Sequence, residues 1–179
     1  MKDLLFLVRA LSFLLINFFV FGLMIASARA DGSEVTIRPL VQIGHNALVK
    51  ALSFSSDDKL LASASWDGTV RIWDWKSGRL LRTFTGAGSQ AETVAFQPTS
   101  ERTLATGDER GVYVWDALSG NEVARLELPS VSEVAWTPDG SGLVVATWRG
   151  TYYWSPIHSP QAIQMSSVDA RSVSVSPDG

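Results

Sequence analysis

The sequence predicts an all-β fold: a β-propeller assembled from blades of four antiparallel strands, three blades and part of a fourth, behind an apolar N-terminal signal helix. Three observations predict it. Trp73, Trp115 and Trp154 each close a similar run (Gly-Thr-Val-Arg-Ile-Trp, Gly-Val-Tyr-Val-Trp and Gly-Thr-Tyr-Tyr-Trp). A second family of segments is anchored by Phe54, Phe96, Trp136 and Val175, and recurs in step with the first. Within each segment apolar and polar residues alternate up to a turn cluster, which is the pattern of a short strand. Short strands repeating at a period of roughly 40 residues, as both families do, build propellers or arrays.

Residues 1–30 differ from the rest. Lys2 and Arg9 precede an apolar stretch that runs to Ile25, and Ala28-Arg29-Ala30 follows with small residues at the cleavage positions. That order defines a secretory signal peptide over residues 1–30. The alternative is a retained membrane anchor, because the apolar stretch from Leu4 to Ile25 is long enough to span a bilayer. Under either reading the remainder, residues 31–179, is expected to leave the cytoplasm, periplasmic or secreted if the leader is removed and membrane-anchored outside the cytoplasm if it stays. Without Lys2, Asp3, Arg9 and Arg29 it carries 12 Lys and Arg against 17 Asp and Glu, a net charge of -5, with no basic stripe. A nucleic-acid partner is therefore not expected, and a membrane is one only if the leader stays. The chain has no cysteine, which excludes disulfides and thiolate metal sites.

Residues 34–43 have the place and pattern of an outer strand that completes a closing blade. The blades then follow at 44–86, 87–128 and 129–166, with a partial one at 167–179. In each full blade an anchor strand leads to a second strand at 60–65, 103–107 or 143–147. A glycine turn at Gly68, Gly111 or Gly150 opens the third strand, which ends on the repeat tryptophan. A fourth strand is expected at 80–85, 122–128 and 161–165. No segment after the leader has a helical apolar stripe. Because the sequence stops inside a repeat, it is expected to be part of a longer protein or to associate over its open edges.

The first blade carries Gly44-His45, then Leu61-Ala-Ser-Ala-Ser-Trp-Asp-Gly68, then Trp73-Asp74. With these motifs in this order and at these offsets, residues 34–179 resemble the WD40-repeat family. The resemblance implies a buried hydrogen-bonded tetrad of His45, Ser63, Asp67 and Trp73. Such a network is physically coherent, since each buried polar atom finds a partner in another member. The later blades depart from it. Ala87 and Arg110 stand at the histidine and aspartate positions of the second blade, where Thr106 and Trp115 remain. Glu127, Val145 and Arg149 replace the polar members of the third, leaving Trp154.

No catalytic or cofactor chemistry emerges. Gly86-Ala-Gly88-Ser-Gln-Ala91 resembles a dinucleotide loop, but the residues after it read as a strand, so no helix N-terminus is available for phosphate. His45, Asp67 and Ser63 have the residue types of a hydrolytic triad, yet the tetrad accounts for them without a nucleophile. His158 has no second ligand at metal spacing. The chain is thus expected to be non-catalytic, with no cofactor and no metal, and to bind a protein or peptide partner. The resemblance implies a top face formed by Leu48, Lys50 and Trp66, by Gln90, Glu92 and Glu109, and by Ser130, Ser132 and Trp148. The alternative is a piece of a larger propeller enzyme, or of its regulatory module, with the active site in other blades.

Overall fold

The computed structural model describes residues 44–85, 90–156 and 158–178. Two compact units divide the chain, Met1–Asn46 and Ala47–Gly179, and every described strand belongs to the second. The leader and the expected outer strand at 34–43 lie outside the described residues. So do residues 86–89 of the glycine-rich loop, but Ala91–Phe96 after it is a strand, as expected.

The twelve strands form three four-stranded antiparallel sheets, each an unbroken meander. Blade one contains β1 (Val49–Phe54), β2 (Leu60–Ser65), β3 (Thr69–Asp74) and β4 (Arg79–Thr85). Blade two contains β5 (Ala91–Phe96), β6 (Thr103–Asp108), β7 (Gly111–Asp116) and β8 (Glu122–Glu127). Blade three contains β9 (Val131–Trp136), β10 (Leu143–Thr147), β11 (Gly150–Trp154) and β12 (Ile163–Ser166). The first strands are the inner ones: β5 packs beside β1 on one side and β9 on the other. Among the described residues no helix occurs, and none is long and apolar enough to cross a membrane.

Alternation along the strands supplies two apolar seams. Ala62, Ala64, Val70, Ile72 and Phe84 of blade one meet Val94, Phe96 and Leu104 of blade two. Ala105, Val112, Val114 and Leu126 on the other face of blade two meet Val131, Val134, Trp136, Leu143, Val145 and Trp154 of blade three. Each fully buried aliphatic side chain in such a seam contributes about 1.5–3 kcal/mol. Polar bonds cross the seams as well. Phe96 N–H donates to Ser53 Oγ at 2.9 Å, and the Trp136 indole donates to the Ala95 carbonyl at 3.0 Å.

The turn glycines are dictated by backbone geometry. Gly150 has φ 135, and a Cβ there would fall on the Ser166 carbonyl oxygen. The strand expected at the fourth anchor does not form: residues 172–176 belong to no strand. A ladder needs a neighbour, and no second strand of that unit stands beside it among the described residues. Even so, Val173 N–H donates to Glu133 Oε2 at 2.8 Å, as Val134 N–H donates to Thr93 Oγ1 at 3.4 Å one blade earlier. The segment thus repeats the interblade bond of an inner strand without the sheet.

Candidate functional site

The second-to-third-strand turns of all three blades lie at one end, next to the segments that enter the inner strands. Backbone bonds join them. Trp66 N–H donates to Leu48 O, Ser130 N–H to Glu109 O, and Trp148 N–H to Ser130 O. Ser130 has φ 64 and so accepts from one blade's turn while donating to the other's. Of the nine residues expected on the top face, Trp66, Glu109 and Trp148 are at these turns, Leu48, Gln90 and Ser130 immediately precede the inner strands, and Lys50, Glu92 and Ser132 are the second residues of those strands.

A repeated irregularity presents three of them. In β1 the ladder steps from Val49 opposite Ser65 to Ala51 opposite Ala64, omitting Lys50. In β5 it steps from Ala91 to Thr93, omitting Glu92, and in β9 from Val131 to Glu133, omitting Ser132. Each is a β-bulge with one extra residue, a device that re-aims a side chain and recurs beside functional sites. Nothing in the alternation of the sequence signals it, because one inserted residue leaves the apolar pattern of the strand core intact.

The bulges build a cluster across the first seam. The Trp66 indole N–H donates to Glu92 Oε1 at 2.9 Å. Lys50 Nζ stands 4.9 Å from the centre of the Trp66 ring and 3.7 Å from Glu92 Oε2. Ser132 differs: its hydroxyl donates to the carbonyls of Ala146 and Ala170, at 3.0 and 2.9 Å. Trp148, at the position of Trp66, is 64% exposed against 38% for Trp66. Among the described residues its indole N–H has no acceptor.

Of the expected tetrad, Ser63 and Trp73 sit in the face of blade one turned away from blade two, and Asp67 lies in the turn between their strands. Trp73 donates from Nε1 to Ser63 Oγ at 2.9 Å. Asp67 Oδ1 accepts from Thr69 N–H at 2.9 Å and from its hydroxyl at 2.6 Å, and Oδ2 lies 3.6 Å from the Arg71 guanidinium. The Asp67 and Arg71 side chains are only 4% and 12% exposed. His45 is half-buried and falls in the other compact unit. In blade two the indole–hydroxyl pair persists, with Trp115 Nε1 donating to Thr106 Oγ1 at 2.9 Å and Phe84 stacked on the Trp115 ring. In blade three Trp154 Nε1 donates to the Ser159 carbonyl at 3.0 Å, and Ser159 supplies the acceptor that Val145 cannot.

One role escaped sequence reasoning. Asp108 is buried, and its Oδ1 accepts the N–H groups of Arg110 and Gly111 at 2.8 and 3.1 Å. Ser65 and Thr147 do the same in their own blades, accepting from Asp67 and Arg149 at 3.1 and 3.0 Å. The signal was a small polar residue three places before each turn glycine. At the opposite end of the blades, turn carboxylates are held well below the usual range. Asp57 is pulled to about 2, chiefly by Lys59 and then Ser55. Asp116 is pulled to about 2, chiefly by the Ser119 backbone N–H, and Asp139 to about 2, chiefly by the Thr137 hydroxyl. These bonds cap turns. Among the described residues no group of three or more His, Cys, Asp or Glu could hold a metal.

Four-stranded meander blades, packed by their inner strands and carrying in two of them a tryptophan–hydroxyl pair, define a propeller of the WD-repeat class. The WD domain, G-beta repeat, matches residues 38–74 and 78–116. The chain is 34% identical over 142 residues to the WD repeat-containing protein SL1-17 of Schistosoma mansoni, covering 76% of this chain and 46% of that protein. It is 31% identical over 137 residues to a guanine nucleotide-binding protein subunit beta of Solanum tuberosum, covering 71% and 36%. It is 34% identical over 113 residues to the eukaryotic translation initiation factor 3 subunit I of Aspergillus terreus, covering 62% and 33%. The chain belongs to the WD40-repeat family, and it spans less than half the length of each of these relatives.

Proposed function

We propose that this chain is a non-catalytic interaction module that binds a protein or peptide partner through the end of the blades bearing Trp66 and Trp148. The observation that carries the reading is Trp148, a tryptophan left 64% exposed beside the bulged inner strands. Tryptophan is enriched at binding hot spots, and a large apolar ring in water has no stabilising role in the fold. The relatives support it at a coarser level, since a G-protein beta subunit and an initiation-factor subunit are by name parts of assemblies. Binding outside the cytoplasm is part of the proposal and rests on the basic, apolar, Ala-x-Ala order of residues 1–30.

The test compares proteins co-purifying with the wild-type chain, with Trp148→Ala, and with Leu118→Ser, an exposed residue at the opposite end. A partner retained by wild type and Leu118→Ser but lost from Trp148→Ala supports the reading. The same partners on all three would refute it. Fractionation with a C-terminal tag tests the location, and a cytoplasmic protein with its leader intact would contradict export.

A further inference from the structure

The two equivalent tryptophans have opposite surroundings. Trp66 has its electrostatic needs met within the chain: a carboxylate, Glu92, takes the indole N–H, and an ammonium, Lys50, stands over the ring. Trp148 has neither. The position of Lys50 is occupied in blade three by Ser132, whose hydroxyl is committed to backbone carbonyls. The position of Glu92 is the fourth residue before each inner-strand anchor, and before Val175 that residue is Arg171. The structure keeps this correspondence, because Ala170 N–H donates to Thr147 O at 2.9 Å and so brings Arg171 to the turn that carries Trp148. At the sequence position that supplies a carboxylate to the first tryptophan, the chain thus carries an arginine for the second.

Arg149 adjoins Trp148 in the same turn, and it and Arg171 are both exposed. Neither forms an ion pair among the described residues. Asp169 and Glu133 bring two negative charges to the corner against these two positive ones, but neither carboxylate pairs with a guanidinium among the described residues. The Glu133 carboxylate nearby is occupied by the Val173 N–H.

We infer that Trp148, Arg149 and Arg171 form a subsite for a carboxylate side chain from an acidic segment of the protein partner. The incoming carboxylate would accept the Trp148 indole N–H, as Glu92 accepts that of Trp66, and would pair with the guanidiniums. A charge-assisted bond to an arginine fork is stronger and more directional than a neutral one. The inference rests on the partner-binding reading above and adds the chemistry of the partner.

The experiment uses the full chain with nitrogen-labelled tryptophan, observed by NMR at the indole N–H. The probe is a blocked peptide of alternating glutamate and aspartate, compared with its glutamine and asparagine isostere. The acidic peptide is expected to move the Trp148 resonance and leave those of Trp73 and Trp115 in place, while the isostere moves none. Arg171→Glu should weaken binding by at least about tenfold, as for loss of a charge pair. Lys76→Glu, the same charge change at the opposite end, should leave it unchanged. An unmoved Trp148 resonance would overturn the inference, and so would equal weakening by Arg171→Glu and Lys76→Glu. If the acidic peptide fails while Trp148→Ala still loses its co-purifying partner, the inference falls and the partner-binding reading stands. If Trp148→Ala keeps every partner, that reading falls with it.

Discussion

Trp66 of the first blade donates its indole N–H to the Glu92 carboxylate of the second at 2.9 Å, so a turn in one sheet is tied to a bulge in the next. Lys50 completes the contact from the inner strand beneath. The cluster is partly exposed, which limits its worth. A double-mutant cycle on Lys50→Ala and Glu92→Gln, read by urea unfolding, should give a coupling of about 0.2–1 kcal/mol that shrinks with added salt. Coupling unaffected by salt would mean that the pair is held by packing.

The indole–hydroxyl pairs make a sharper prediction. Ser63→Ala and Thr106→Val each leave a half-buried tryptophan N–H without its acceptor, at a cost of about 1–3 kcal/mol in chemical denaturation. Installing the missing hydroxyl in blade three should not help. The Trp154 N–H already has the Ser159 carbonyl, so Val145→Thr buries an unneeded hydroxyl and costs about 1–3 kcal/mol. Stabilisation by Val145→Thr would show that the Ser159 contact is dispensable.

Asp67 holds a turn through Thr69 and faces the Arg71 guanidinium in a nearly closed environment. Asp67→Ala strands a mostly buried cation and should cost ~3 kcal/mol. A loss under about half a kcal/mol, as at an exposed site, would exclude a network there.

Asp116 caps the turn after β7 by accepting the N–H groups of Leu118 and Ser119 at 3.0 and 2.7 Å. Its folded pKa of about 2 lies below its ordinary 3.8. A depressed carboxylate stabilises the fold fully above its unfolded pKa, and the contribution disappears as pH falls through the folded value. The stability difference between wild type and Asp116→Asn should therefore be constant near neutrality and shrink between about pH 4 and pH 2. Asp57 and Asp139 titrate in both proteins and cancel in the difference. A difference independent of pH would refute the assignment.

Much of the fold was legible because each blade is a local object. Alternation around Phe54, Phe96 and Trp136, with turns at Gly68, Gly111 and Gly150, placed every strand of the three described blades to within a residue or two. The unpaired segment before Val175 was the exception, since a strand exists only beside a partner. The positions of Lys50, Glu92 and Ser132 could be carried over from the resemblance, but not the bulges that present them. A bulge is a property of two paired strands and leaves no mark on one. Asp108 was missed because its role is set by backbone N–H groups of the following turn, whereas the resemblance directed attention to Arg110.

The central claim is that the end of the blades bearing Trp148 is where a partner docks. A photo-crosslinking amino acid placed at Trp148 in one chain and at Leu118 in another tests it in a single comparison of adducts in the source cells. The account predicts a discrete adduct from position 148 that disappears with Arg171→Glu, and none from position 118. Equal adducts from both positions, or an adduct indifferent to Arg171, would contradict it.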